Sequence, residues 1–246
     1  MMKNLNVSPL EWDTNFFGIS CGRLVIDAPE ADLRGLLEQL DAYQFITIQN
    51  VGNKVGINKT IAENTQAFLV DINIQFEKDV LRGFSGYTAK HENIAVIKAK
   101  DTDKQIHDKL LVEREDFVFS KFVCDDKLDV RNGYLVYKEW LKNSRNYDNK
   151  YFALYYDGNE IGGYILFSIY DGEGTIELVK VNREYKGKGI ATEMIRTVEN
   201  CLKDKGIATV KVGTQLNNIP AINLYHYLGF REISRTSVYH LWNLNV

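Results

Sequence analysis

Between Thr175 and Gly206 the chain passes from a β-branched run, through a turn holding Gly187 and Gly189, into a clear helical stripe. Thr175 to Val181 reads as a strand. Ile190, Met194, Ile195, Val198 and Leu202 keep the spacing of one helix face, and Gly206 suits the C-terminal cap. A helix with a single apolar stripe must bury it against another layer, so this unit points to an α/β arrangement.

The flanking sequence extends that arrangement. Tyr151–Tyr156 and Ile161–Tyr170 are strand-like runs separated by Asp157-Gly158-Asn159-Glu160, a hairpin signal. Thr209–Gly213 predicts a strand, Ala221–Leu228 a short helix, and Arg231–Asn243 a final strand pair. Upstream, Ile94–Ile97 predicts a strand, while Lys104–Phe117 and Leu135–Asn143 predict helices. The second of these carries Leu135, Val136, Trp140 and Leu141 for burial. Elements in this order give a mixed, mostly antiparallel sheet rather than a doubly wound one.

The first ninety residues form a smaller set. Gly22–Asp27, Phe45–Gln49 and Phe68–Phe76 predict strands, Ala31–Tyr43 predicts a helix, and the polar stretch after Gln49 predicts another. The glycines in Leu81–Thr88 mark a boundary, so residues 1–88 are expected to form a small N-terminal α/β domain and 89–246 a second one.

Composition narrows the function classes. With 30 Lys+Arg against 33 Asp+Glu, the net charge of −3 supplies no general attraction to nucleic acid or to an anionic membrane. The three cysteines, Cys21, Cys124 and Cys201, form no CxxC pair, and the four histidines form no metal-binding spacing; a metal-free protein of a reducing cytoplasm is expected. No apolar run reaches membrane-spanning length, so no membrane insertion is expected.

The glycine turn is the candidate site. Gly187 and Gly189 permit close backbone approach, Lys186 and Lys188 add positive charge, and the helix start at Ile190 and Ala191 offers unpaired N–H groups. Together they suit an anion such as a diphosphate. A P-loop would need Ser or Thr where Gly189 stands, and a dinucleotide fingerprint would need a glycine at Thr192. The residues match neither.

Lys186-Gly187-Lys188-Gly189-Ile190-Ala191 does resemble the [QR]-x-x-G-x-[GA] motif of the GNAT superfamily of N-acyltransferases, with Lys186 a departure from the usual Gln or Arg. Asn218-x-x-Ala221-x-x-Leu224-Tyr225-x-x-x-Gly229-Phe230 resembles that family's next motif, and the resemblance covers about Asn93 to Val246. It implies a GNAT fold with acetyl-CoA or another acyl-CoA as co-substrate. The diphosphate would rest on the amides from Gly187 to Ala191, and the pantetheine arm would run beside Val179 and Val181. Asn218 would contact the cofactor while capping its helix, and Tyr225 would be the general acid for the departing thiolate. Glu177 shares the strand face of Val179 and Val181 and is one candidate base. His226 and Tyr227 point away from the direction of Tyr225.

Leu10-Glu11-Trp12-Asp13-Thr14-Asn15-Phe16-Phe17-Gly18 resembles the opening of bacterial TDP-fucosamine acetyltransferases, and the likeness continues at Phe68–Asp71 and Ser120–Phe122. It implies acylation of a TDP-linked amino sugar, with Asp71 as a second candidate base and Phe122 and Tyr134 against the nucleotide or sugar. Trp12, Phe16 and Phe17 are expected to be interface or core aromatics. A homodimer is compatible with this reading. Two other functions stay open: acylation of another small amine or a protein amine, and a silent acyl-CoA sensor. An acidic groove would favour a polyamine, a basic one a nucleotide diphosphate, and Tyr225 argues for turnover.

Overall fold

A computed structural model of the chain describes residues 6–27, 37–82, 93–110 and 112–243. In chain order the elements are β1 (Ser8–Pro9), α1 (Glu11–Phe17), β2 (Cys21–Ile26), α2 (Leu37–Asp41), β3 (Phe45–Val51), α3 (Val55–Asn64) and β4 (Phe68–Asp79). They continue with β5 (Ile94–Lys98), α4 (Lys104–Lys109), α5 (Asp126–Asp129), α6 (Leu135–Asn143), β6 (Lys150–Asp157), β7 (Glu160–Tyr170) and β8 (Glu173–Val181). The last four are α7 (Ile190–Asp204), β9 (Thr209–Gln215), α8 (Ile219–Tyr227) and β10 (Arg231–Trp242).

The ten strands among the described residues join one sheet in the order β1-β2-β3-β10-β4-β9-β8-β7-β6-β5. The β2–β3 and β8–β9 pairs are parallel and the others antiparallel, the mixed sheet that the sequence implied. Arg231–Trp242 forms one long strand instead of the expected pair, and it pairs with β3 on one edge and β4 on the other. The boundary expected near residues 81–88 falls largely outside the described residues, as does the first part of the helix expected at 31–43, whose described part holds α2. Strands from both sides of that boundary share the sheet, because β4 lies between β10 and β9. The helix expected at Lys104–Phe117 is interrupted: α4 ends at Lys109, and Arg114–Phe117 is a separate 3-10 turn held by a Glu113–Asp116 capping box.

Burial divides into layers. On one face, α7 inserts Ile190, Met194, Ile195, Val198 and Leu202, each at most 2% exposed, against Ile165, Phe167, Val210 and Val212, with Tyr225 and Phe230 joining them. On the other face, Phe117, Phe122, Leu128, Val136, Tyr137 and Leu141 pack on Phe152, Leu154, Tyr164 and Leu166. A third cluster seats Leu40, Ile57 and Ile61 on Leu24, Ile46, Ile48, Tyr239 and Leu241. Within α6 the sequence placed Trp140 inside, yet Tyr137 is the buried aromatic and Trp140 is 41% exposed. The Tyr137 hydroxyl finds a buried partner, donating to Ser120 Oγ at 2.6 Å, which makes its burial tolerable.

Candidate active site

The site begins with a failure of strand pairing. β8 and β9 pair only as far as Ile176 and Val212, yet β8 runs on to Val181 and β9 to Gln215. A register shift contributes to the parting: Leu166 faces Leu178 and Phe167 faces Ile176, so Glu177 is the extra residue of a bulge in β8. Past that point, main-chain groups of β8 turned toward β9 have no ladder partner. A cleft of about 890 Å³ opens there. Its walls reach from α7 and α8 on one side of the sheet to the Asp116–Ser120 segment and α6 on the other.

At one end stands the glycine turn. Gly187 and Gly189 have φ of +77° and +80°, a conformation that a residue with Cβ adopts only at a cost. A Cβ at either would meet nothing within 4 Å, so backbone shape and not crowding requires glycine there. Gly189 is the N-cap of α7 and provides no side-chain cap, which leaves the first-turn N–H groups available to a ligand. Lys188 lies over the Tyr185 ring at 5.4 Å, and Tyr185 donates to Asp157 at 2.8 Å, bracing the turn. These features suit a diphosphate.

Beside the turn, buried Lys180 contacts Asp116 at 2.5 Å, and Lys186 reaches the other oxygen of that carboxylate at 4.0 Å. Asp116 thus sits within the cleft wall with its charge matched.

Seven of the residues singled out in the sequence meet here. Glu177, Val179, Val181, Lys186, Ala191, Asn218 and Tyr225 all line the cleft. The side chain of Ile190 instead packs into the core, so only its backbone belongs to the site. Asn218 caps α8, its Oδ1 accepting from Ala221 N–H at 3.3 Å. Tyr225 is 4% exposed, sits 5.5 Å from the Phe76 ring and 5.8 Å from the Phe230 ring, and has no hydrogen-bond partner among the described residues. Burial raises its phenol pKa, so the hydroxyl keeps its proton through neutral pH. Tyr227 is 73% exposed, and His226 is exposed with its ring edge-on to Phe76.

The two candidate bases differ in setting. Glu177 is held by Lys150, Nζ to Oε2 at 2.6 Å, with both side chains about one-fifth exposed. Asp71 lies on β4 two residues beyond Asn73, which with Gln75 lines the cleft, so all three share a strand face. Asp71 itself does not line the cleft. Burial pushes its carboxyl up to about 6, opposed by the amide of Ile72 and the charge of Lys121. Lys121 is in turn lowered by burial, against the attraction of Asp13 and Asp71.

Phe122 and Tyr134 stand apart from the rest. Phe122 is 7% exposed and packs between Phe17 and Tyr137, Tyr134 lies against the same cluster, and neither lines the cleft. Besides Tyr225, the aromatics that do line it are Trp12, Phe117, Phe119, Tyr137, Trp140 and Tyr147. From the sequence, Trp12 is expected at an interface or core and Trp140 in the interior, and neither the other four nor Lys150 is singled out. The Tyr137–Trp140 spacing on an amphipathic helix was the one available signal, since i and i+3 lie near one another on a helix surface.

Comparisons with known proteins bear on this cleft, where the central strands part beside a glycine turn and a helix N-terminus. Residues 114–230 match the Acetyltransferase (GNAT) family. It is 28% identical over 129 residues to the spore coat polysaccharide biosynthesis protein SpsD of Bacillus subtilis, covering 52% of this chain and 45% of that protein. It is 29% identical over 83 residues to streptothricin acetyltransferase of Escherichia coli, covering 34% of this chain and 48% of that one. The chain thus spans less than half the length of these relatives. Among solved structures, a GCN5-related N-acetyltransferase from Sphaerobacter thermophilus superposes with a TM-score of 0.61 at 14% identity, over 96% of this chain and 76% of that one. A tandem GNAT protein from the clavulanic acid pathway gives 0.59 at 15% identity, over 91% and 77%. At such identity the likeness is one of fold.

Proposed function

We propose that this chain is an acyl-CoA-dependent N-acyltransferase whose acceptor is the amino group of a TDP-linked amino-dideoxysugar, supplied to polysaccharide assembly in the cytoplasm. The parting of β8 from β9 beside the uncapped start of α7 carries the acyl-CoA part of this reading. The Trp12–Gly18 run and the name of the SpsD relative support the sugar part.

In this reading the acyl-CoA diphosphate rests on the amides from Gly187 to Ala191, with Lys186 beside it. The pantetheine lies along Val179 and Val181 and takes up main-chain groups that β9 does not reach. An unpaired β8 amide near the bulge stabilises the oxyanion as the amine attacks the thioester carbon. The C–N bond forms, the C–S bond breaks, and Tyr225 gives its proton to the departing thiolate. The ammonium proton leaves through Glu177 or Asp71, directly or by ordered water. Residues 1–88 contribute Trp12, Asn73 and Gln75 to the acceptor side, as a small N-terminal unit would.

The test is incubation with TDP-amino-dideoxysugars and acetyl-CoA or longer acyl-CoAs, with thiol release and acylated product followed. Turnover is expected; no release with any such sugar would overturn the acceptor assignment.

A further inference from the structure

The acceptor side of the cleft carries a feature that acyl transfer alone does not use. Trp12 on α1 is 39% exposed and lines the cleft. One face of its indole is occupied: Phe16 stacks behind it, centroids 5.0 Å apart and planes within 14°. Phe16 in turn meets Phe17 edge-on at 4.9 Å, and Phe17 packs on Phe122 at 6.1 Å. The Phe17 and Phe122 rings are buried. The indole is therefore braced by a ladder of rings that ends in the core, with 39% of the residue still exposed.

Position separates this ring from the glycine turn. Phe16, Phe17 and Phe122 belong to the core on the α6 side of the sheet, whereas Ile190 and Tyr225 belong to the core on the α7 side. A ring bound against Trp12 thus belongs to the acceptor and not to the cofactor end held by α7. The polar groups that Asn73, Gln75 and Gln215 bring to the cleft are neutral amides. Carboxamides match the carbonyl and N–H edge of a pyrimidine, since each offers both donor and acceptor. The carboxylates of the same cleft, Glu177 and Asp116, are already paired with Lys150 and Lys180, so an uncharged planar ring with such an edge, extending a stack already two rings deep, suits the cleft better than an aliphatic ammonium.

We propose that Trp12 is the platform on which the pyrimidine base of the acceptor nucleotide stacks, a specificity-determining residue; this rests on the nucleotide-sugar reading above. Base–aromatic stacking is strong enough that losing the ring should weaken binding by about 10-fold or more.

The probe is TDP alone, titrated calorimetrically into the wild type, Trp12→Leu and Trp12→Phe, with coenzyme A titrated in parallel. The expected result is TDP affinity weakened about 10-fold or more in Trp12→Leu, nearly restored in Trp12→Phe, and unchanged coenzyme A affinity in all three. Trp140 lines the same cleft, so quenching is read in Trp140→Phe: TDP should quench the tryptophan emission of that variant, and adding Trp12→Phe should remove the quenching, which reports the contact should Trp12→Leu fail to fold. Unchanged TDP affinity in Trp12→Leu, quenching that persists once both tryptophans are replaced, or no TDP binding by the wild type would overturn the proposal. The two readings fail separately. Acyl transfer with a Trp12-independent TDP affinity removes only the stacking, while Trp12-dependent TDP binding without turnover removes only the acyl transfer.

Discussion

The ammonium of Lys150 lies 2.6 Å from the carboxylate of Glu177, inside the cleft and at the bulge where β8 leaves β9. Both side chains are largely withdrawn from solvent, so the pair fixes the orientation of Glu177 and competes with any amine that approaches it. Glu177 can accept a proton from the acceptor only if Lys150 yields. Lys150→Met should therefore change the acid limb of the kcat/KM profile if Glu177 is the base, while Glu177→Gln should lower kcat by ~10²-fold. A pH–rate comparison of the two variants with the wild type checks this; an unaltered profile in both would remove Glu177 from proton transfer.

Asp71 makes the opposite kind of candidate. Its carboxyl is raised from 3.8 to about 6 by burial, so it becomes a competent base only above that pH. If it serves, activity falls as pH drops through about 6, and Asp71→Asn abolishes that limb. The same shift bears on stability. The folded form holds its proton more tightly than the unfolded chain, so stability declines as pH rises from about 4 to 6 and the loss is complete above that range. Asp71→Asn should then raise Tm relative to the wild type at pH 8 and leave it nearly unchanged at pH 4, as thermal melts would report.

Tyr225→Phe removes one hydroxyl from a packed ring. The flanking Phe76 and Phe230 contacts survive, so folding and coenzyme A affinity should hold. The turnover rate should fall by ~10²-fold or more if the hydroxyl donates to the thiolate. Steady-state kinetics with calorimetric coenzyme A binding separates the two effects, and an unchanged rate would end the general-acid assignment.

Gly189→Ala tests the turn. With φ at +80° and open space around a Cβ, the substitution should destabilise the turn by about 1–2 kcal/mol through backbone conformation alone. If the turn holds the diphosphate, KM for acyl-CoA rises several-fold while KM for the acceptor stays put.

A structural prediction concerns the opposite layer. Asp125 accepts from His240 Nδ1 at 2.7 Å and from Trp242 Nε1 at 2.9 Å, tying the residue before α5 to the central strand β10. Burial alone would raise its carboxyl, but these two donors outweigh it and hold the pKa below the usual range. Asp125→Ala leaves one buried and one half-buried donor unmatched and should destabilise the fold by about 2–4 kcal/mol, measurable by urea unfolding.

The parts of the site legible in the sequence were those carried by one continuous stretch. Val179 to Ala191 and Asn218 to Tyr225 announce a strand, a turn and two helix starts by local rules, and the fold places them around one cleft. What escaped was assembled at long range. Trp12, Asn73, Ser120, Tyr137 and Lys150 come from five separate elements or loops, and no periodicity reveals that β4 will lie beside β9. Phe122 and Tyr134 came with a family likeness, but such a likeness does not show which way a ring faces, and theirs pack with the core. Trp140 and Tyr137 exchanged their expected burial because the Tyr137 hydroxyl had Ser120 to satisfy it.

The position of β10 has a consequence for how the molecule is made. Ser237 on β10 is bonded to Asn53 across a sequence separation of 184 residues, and β10 separates β3 from β4 in the finished sheet. During synthesis, β3 and β4 must wait with open edges, facing a gap that only a much later segment closes. Contacts this remote slow folding, and unpaired edges invite pairing with other chains. A growing chain of this kind depends on being kept apart from its neighbours until Arg231–Trp242 has emerged.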